Sequence, residues 1–469
     1  MLTRSRSLSL IDQLVSHYAG QIRASLLASG ARLPSVRDCA RRHGVSPSTV
    51  VAAYDQLLAQ GLVEARQKQG FFVRTLPPPA TAAVVPGTPA AVSPFIDAAA
   101  LLRGMMPPPG RQPMPGAGVL PAAWLQNGFL STAVRRVVNS PAFDELSLHY
   151  GEPKGDPLLR AALARRLAGY SIAAQPEQII TTLGATHGLD LVARTLLRPG
   201  DTVLADEPGW PLEFARLAAM GVRVLPVPRG PDGPDLAVMA RYCETHQPKF
   251  YICVSVLHNP TGYLLPPAAA HRVLQLAQRH DFYIVEDDTY AHFAPAHATR
   301  MTALDGLVRS VYVSGFAKQL VPNWRIGYVA APPELAERLT QTKLLNNLTT
   351  PALLERALSI CLDQGQIRRH AERLRVRLDA ARNRSVKLAR EAGCRFLSEP
   401  AGMFGWVDTG IDADALAQRM LDQGWMLAPG SMFYAERKPS TAMRINFGTA
   451  QNVAFWQAYA AAMSAMPRG

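Results

Sequence analysis

At 469 residues the chain exceeds one ordinary hydrophobic core, so two or three domains are expected, and a hydrophobic content of 48% suffices to fill them. A formal net charge of +13 fits an arginine-rich composition or an anionic partner equally well. Five scattered cysteines without a Cys-x-x-Cys pair argue against a disulfide framework or a metal site, and the absence of a secretory signal or long apolar run points to a soluble, cytoplasmic protein with no membrane partner.

The first predicted helix runs through Ile11, Val15, Tyr18 and Ile22, apolar residues at helical spacing. Ser35 followed by Asp38 resembles a capping box and starts a second helix. After a turn at Gly44-Val45, Ser46 caps a third, with Pro47 in its first turn, Val50, Tyr54, Leu57 and Leu58 on its buried face and Gly61 closing it. Leu62–Ala65 and Phe71–Val73 then read as two short strands flanking a turn. Residues 1–75 are therefore expected to form a helix-turn-helix with a β wing. They carry ten basic and four acidic side chains, an excess that favours a phosphate backbone as partner. Ser46, Ser48 and Thr49 open the third helix as small hydroxyl donors able to reach base edges or phosphates of double-stranded DNA. A three-helix unit is also a common structural module, so the pattern alone leaves both readings open.

Residues 76–118 are rich in Pro, Ala and Gly, with Pro77-Pro78-Pro79 and Pro107-Pro108-Pro109. They read as an extended, semi-rigid linker.

Residues 119–469 alternate. Strands are expected at Gln178–Leu183, Thr202–Ala205, Val222–Val227, Phe250–Val256, Phe282–Glu286 and Val308–Val313, with a helix from about Thr186 to Leu197 after the first. Alternation of this kind predicts an α/β fold with a mainly parallel sheet. Lys318 follows the last of these strands in an apolar loop, where a lowered pKa would free its lone pair for an aldehyde. Asp287 ends the preceding strand, placed to keep a pyridine nitrogen protonated. Ala185 and Thr186 open a helix after Gly184, and the free N–H groups there suit a phosphate, although many strand–helix junctions look alike. A reactive lysine, an acid and a phosphate cradle together suggest pyridoxal 5'-phosphate (PLP).

Two resemblances sharpen these readings. Residues 31–73, ARLPSVRDCARRHGVSPSTVVAAYDQLLAQGLVEARQKQGFFV, resemble the GntR-family winged helix. That resemblance implies DNA contacts from Arg37, Ser46, Ser48 and Thr49 and a wing tip shaped by Gly70. Lys68 stands where many relatives have glycine and adds a cation to the wing. Residues 119–465 are similar to fold-type I aminotransferases, through the motifs HYGEPKGDPLLR, DEPGWP, HNPTGY, YVSGFAKQLVPNWRIGY and MRINFG. What this implies is residue-specific. Lys318 forms the Schiff base with PLP, and Arg325 grips the phosphate. Tyr290 and Asn259 contact the ring hydroxyl, Trp210 stacks on the ring, and Arg444 takes an effector's α-carboxylate. Tyr150 reaches the phosphate of the partner in a homodimer. In the run Ser314-Gly315-Phe316-Ala317 before the lysine, Ser314 is left as the hydroxyl donor. The fusion of both units resembles the MocR/GabR-type regulators, which implies a PLP-dependent transcription regulator sensing an amine or amino acid. The alternative is a working aminotransferase with a DNA-binding appendage.

Overall fold

Ser35 and Ser46 cap two helices of the N-terminal unit, and a single left-handed glycine, Gly44, turns the chain between them. The computed structural model describes residues 9–23, 27, 30–66, 69–74, 114–295 and 297–466. The chain divides into two units, Met1–Val92 and Ser93–Gly469. In the first, α1 spans Leu10–Arg23, α2 Val36–His43 and α3 Pro47–Ala59. The Ser35 hydroxyl accepts the Asp38 backbone N–H at 3.2 Å and donates to the Asp38 carboxylate at 2.8 Å. The reciprocal bond thus goes to the serine hydroxyl, not to its backbone N–H as in a full capping box. Ser46 Oγ accepts the Thr49 backbone N–H at 3.1 Å. Leu14, Tyr18, Cys39, Val50, Ala53, Tyr54 and Leu57 form the core, whereas Leu58 is only half-buried. Strand β1, Val63–Arg66, pairs antiparallel with β2, Gly70–Val73, with Val63 opposite Val73 and Arg66 opposite Gly70. Lys68 lies outside the described residues.

The second unit is built on an eight-stranded sheet. Its strands are β3 (Ile179–Leu183), β4 (Thr202–Glu207), β5 (Arg223–Gly230), β6 (Gly233–Pro234), β7 (Phe250–Cys253), β8 (Tyr283–Asp287), β9 (Ser310–Gly315) and β10 (Ile326–Ala330). Their order is β3-β10-β9-β8-β7-β4-β5-β6. Strands β5, β4, β7, β8 and β9 are successively parallel. Burial on both faces explains their near-continuous apolar runs, such as the fully buried β9. Strand β10 is antiparallel to both β3 and β9, and sequence periodicity did not reveal it. Only residues 316–325 separate it from β9, too few for the crossover that a parallel neighbour needs.

After the long helix Gln366–Glu391 comes a smaller antiparallel sheet. It contains β11 (Arg395–Phe396), β12 (Phe404–Asp408), β13 (Ala428–Pro429) and β14 (Ala442–Asn446), in the order β11-β12-β14-β13. Residues 114–118, expected to belong to the linker, are instead part of this packed structure. Ala117 is fully buried. The Asn446 backbone N–H donates to Pro115 O at 2.9 Å, and its side-chain amide donates to Ala117 O and Val119 O at 2.8 and 2.7 Å. A Cβ on Gly116 would lie 2.4 Å from the Leu427 carbonyl carbon, so only glycine lets the strap lie that close. The Pro/Gly composition that read as a spacer here marks an extended strap whose backbone polar groups are satisfied by the small sheet. The remainder of the expected linker lies outside the described residues. Among the described residues, no helix is long and apolar enough to cross a membrane.

Candidate functional site

In a parallel sheet the loops at the carboxyl ends of the strands form the ligand crevice, and those ends of β3, β8 and β9 bring the predicted residues together. A cavity of about 540 Å³ is lined by Ala185, Thr186, Trp210, Asn259, Asp287, Tyr290, Lys318 and Arg325, with Val119, Thr289 and Gly315 beside them. Its size suits a cofactor with a small adduct.

Lys318 follows β9 and is held in the cavity wall. Burial, reinforced by the charge of Arg444, lowers its pKa to about 8, with Asp287 opposing. Its Nζ donates to the Gly118 carbonyl at 2.6 Å. Asp287, the last residue of β8, accepts the Thr289 backbone N–H at 3.0 Å. Burial raises its pKa to about 6 despite that bond. A carboxylate kept short of counter-charge in this way is suited to a cationic ring nitrogen. Tyr290 is buried against Phe404, and burial pushes its phenol well up; Asn259 bonds its hydroxyl.

The phosphate end is formed by the helix Ala185–Leu196, whose N-cap, Gly184, supplies no side-chain hydrogen bond to the first N–H groups. Those donors and the dipole face the cavity. Arg325 donates to Leu183 O at 3.1 Å beside them. The cradle has no spare space. A Cβ on Gly184 would lie 2.4 Å from an Arg325 nitrogen, and one on Gly327 would lie 2.4 Å from the Gly184 carbonyl carbon. An acid, a nucleophilic amine and a tight cationic anion cradle in one cavity fit PLP by donor chemistry.

Three predicted residues sit elsewhere. Ser314 is fully buried, and its hydroxyl donates to the Asp288 carbonyl at 2.9 Å. The alternation of β9 that turns Gly315 into the cavity turns Ser314 away, so its assignment to the phosphate is withdrawn. Tyr150 is 83% exposed and outside its own chain's cavity. Arg444, on β14, is fully buried and does not line the cavity. It donates to Asn259 Oδ1 at 3.0 Å and to Gly116 O at 2.6 Å, while its Nε has no partner. Its guanidinium lies 4.4 Å from the Phe404 ring centroid, and desolvation lowers its pKa to about 10. The sequence reasoning missed the strap carbonyls of Gly116 and Gly118 that occupy Arg444 and Lys318. The Pro-Gly-Ala-Gly spelling of residues 115–118 was their only local signal.

In the N-terminal unit Arg37, Ser46 and Ser48 are exposed, and Thr49 is half-buried. Ser46 Oγ lies 2.8 Å from both Ser48 Oγ and Thr49 Oγ1. Gly70 opens β2 with φ at 103°.

Comparison with known proteins separates the same two parts. The family described as aminotransferase class I and II matches residues 127–454, and that of bacterial regulatory proteins, gntR family, matches residues 11–73. The probable rhizopine catabolism regulatory protein MocR of Rhizobium meliloti is 32% identical over 82% of this chain and 78% of its own length. The HTH-type transcriptional regulator TauR of Rhodobacter capsulatus is 29% identical over 86% and 85%. Among solved structures, α-aminoadipate aminotransferase from Thermus thermophilus, complexed with N-(5'-phosphopyridoxyl)-L-leucine, is 26% identical with a TM-score of 0.69, covering 78% of this chain and 95% of that one.

Proposed function

The chain belongs to the aminotransferase class I and II family, joined to a GntR-type winged helix in the MocR-type arrangement; on that premise we propose how its residues serve a PLP-dependent, DNA-binding transcription regulator that senses an amine or amino acid. The observation that carries the reading is the single cavity shared by Lys318, Asp287, Asn259, Tyr290, Arg325 and an uncapped helix N-terminus. When bound, PLP supplies an aldehyde that condenses with amines and a ring that withdraws electrons. Lys318 is its attachment point, because desolvation keeps a share of the amine unprotonated at neutral pH. With PLP bound, Asp287 would hold a proton at the ring nitrogen, Asn259 and Tyr290 would hold the ring hydroxyl, and Trp210 would lie against the ring. Arg325 and the N–H groups of Ala185 and Thr186 hold the phosphate, with Tyr150 supplied by the partner of a homodimer. Arg37, Ser46, Ser48, Thr49, Lys68 and Gly70 form the contact with an operator in cytoplasmic DNA.

The effector signal follows from the strap. A carboxylate takes an arginine best through two parallel N–H groups, and one Arg444 donor is committed to Gly116 O while Lys318 is committed to Gly118 O. An amino acid whose carboxylate claims Arg444 would therefore take that guanidinium from the strap carbonyl of Gly116, exchanging a strap contact for an effector contact. The effector gains its differential affinity for the two states from that exchange. The strap is the C-terminal continuation of the segment that leads to the winged helix, so its release is the relay.

The test is a screen of amines and amino acids for spectral change of the bound cofactor and for change in operator binding, in wild type, Lys318→Ala and Arg444→Met. Lys318→Ala is expected to lose borohydride-fixable PLP and the effector response. Arg444→Met is expected to weaken amino-acid effectors at least about tenfold and to spare amines without a carboxylate. Equal effector responses in wild type and Lys318→Ala would remove the cofactor exchange from the switch. The alternative of a working aminotransferase rests on the completeness of the residue set. Keto-acid-dependent product formation at enzyme-like rates would decide for it.

A further inference from the structure

The +13 net charge is not fully explained by the winged helix, and its remainder is concentrated. Residues 119–469 carry 37 basic and 31 acidic side chains; nine and three of these belong to the helix Gln366–Glu391, so the rest of that segment carries 28 of each sign. The entire excess of the effector domain therefore lies on one helix of 26 residues. Ordinary surfaces intersperse the two signs, which is what the remainder of the domain does.

The helix packs through Ile367, His370, Ala371, Leu374, Leu378, Ala381, Ser385 and Ala389. Flanking that buried face are Arg369, Arg373, Arg377 and Arg384, all exposed. At 100° per residue these four lie within one narrow stripe, roughly 22 Å long at 1.5 Å per residue. The acids of the helix are used elsewhere: Glu372 pairs with Arg368, Asp379 with Arg382 and Glu391 with Lys387. Among the described residues, no acidic side chain pairs with Arg369, Arg373, Arg377 or Arg384. Arg369, Arg373 and Arg377 follow one another by about one helical turn and Arg384 by about two, so a rigid, packed helix presents a row of cations roughly 6 to 10 Å apart to a polyanion that carries about one charge per 1.7 Å of duplex. Val376 and Ala380 beside the stripe are apolar, and the arginines themselves suit phosphates.

We propose that this stripe is a second DNA contact, which binds the phosphate backbone without reading sequence and adds to the winged helix. The proposal rests on the DNA-binding reading of residues 1–75. It makes the effector domain part of the DNA-bound surface, so flanking DNA contributes affinity that the operator sequence does not specify.

The experiment uses the full-length, PLP-loaded protein and a random-sequence duplex of roughly 60 base pairs, about 200 Å long. Affinity is measured against salt for wild type, for the triple variant Arg373→Gln, Arg377→Gln, Arg384→Gln, and for Arg37→Ala. Loss of three phosphate contacts is expected to reduce the slope of log K against log salt by up to about 2.7 and the affinity at least about tenfold. Cofactor absorbance, melting temperature and sedimentation coefficient are expected to stay at their wild-type values in the triple variant. An unchanged slope in the triple variant, with Arg37→Ala weakened, overturns this proposal alone. Unchanged binding in both variants overturns the DNA-binding reading beneath it. A changed sedimentation coefficient with an unchanged slope assigns the stripe to a protein interface and likewise overturns it.

Discussion

Lys318 shows how far one residue's environment sets the chemistry. With its pKa lowered to about 8, about a quarter of the amine is neutral near pH 7.5, against roughly a thousandth for an ordinary lysine of pKa 10.4. The sign follows from burial, which disfavours the ammonium form. Attachment of PLP to the cofactor-free protein is therefore expected to accelerate as pH rises through about 8 and then level off. A stopped-flow rate that continues to climb tenfold per pH unit toward 10 would refute a depressed Lys318. Ser314 gives the opposite lesson. Its hydroxyl is spent on the Asp288 carbonyl, so Ser314→Ala is expected to cost about 1 kcal/mol of stability and to leave PLP affinity unchanged. Equilibrium denaturation and cofactor titration of the same variant separate the two effects. A tenfold loss of PLP affinity in a protein of wild-type stability would restore Ser314 to the phosphate site.

At the scale of elements, the phosphate end depends on how closely β3, β10 and the helix Ala185–Leu196 approach each other. Gly327 on β10 faces the Gly184 backbone, where a Cβ would sit 2.4 Å from the carbonyl carbon. Gly327→Ala must push the helix N-terminus off the strand. Overpacking of this kind costs about 1–3 kcal/mol, and the helix donors move with it. The expected result is a lower melting temperature together with PLP affinity reduced by at least about tenfold, relieved in part by excess cofactor. Wild-type PLP affinity in Gly327→Ala would show that the cradle tolerates the shift. The α3 cap works by the same logic. Ser46 is bound into the cap and to both Ser48 and Thr49, so its hydroxyl is shared between folding and any DNA contact.

At the scale of the whole molecule, Tyr150 is a large side chain that its own chain leaves uncovered. It is 83% exposed just after the helix Phe143–Leu148, where burial would normally claim an aromatic ring. The proposed homodimer, in which it would reach the partner's phosphate, would account for that exposure. Tyr150→Phe is expected to raise the PLP dissociation constant roughly tenfold, the worth of one hydrogen bond to a charged group, with sedimentation still dimeric. A stable monomer with full cofactor occupancy in the analytical ultracentrifuge would exclude the arrangement.

The sequence by itself determined the parts whose physics is local. Ser35 and Ser46 cap helices whichever core they join, the apolar periodicity of α1 and α3 selects their buried faces, and the spacing of Asp287, Lys318 and Arg325 places them at strand ends. It left out what depends on which neighbour arrives. Strand β10 was hidden because an antiparallel strand buried inside a parallel sheet has no period of its own. Ser314 was misassigned because the choice of face rests on the pleat of β9 against β8 and β10. The strap at residues 114–118 read as linker because its partners, Arg444, Asn446 and Lys318, lie roughly 200 to 330 residues further along the chain. Contacts of that separation leave only the Pro-Gly-Ala-Gly spelling of residues 115–118 as a local trace, since backbone carbonyls carry no residue identity.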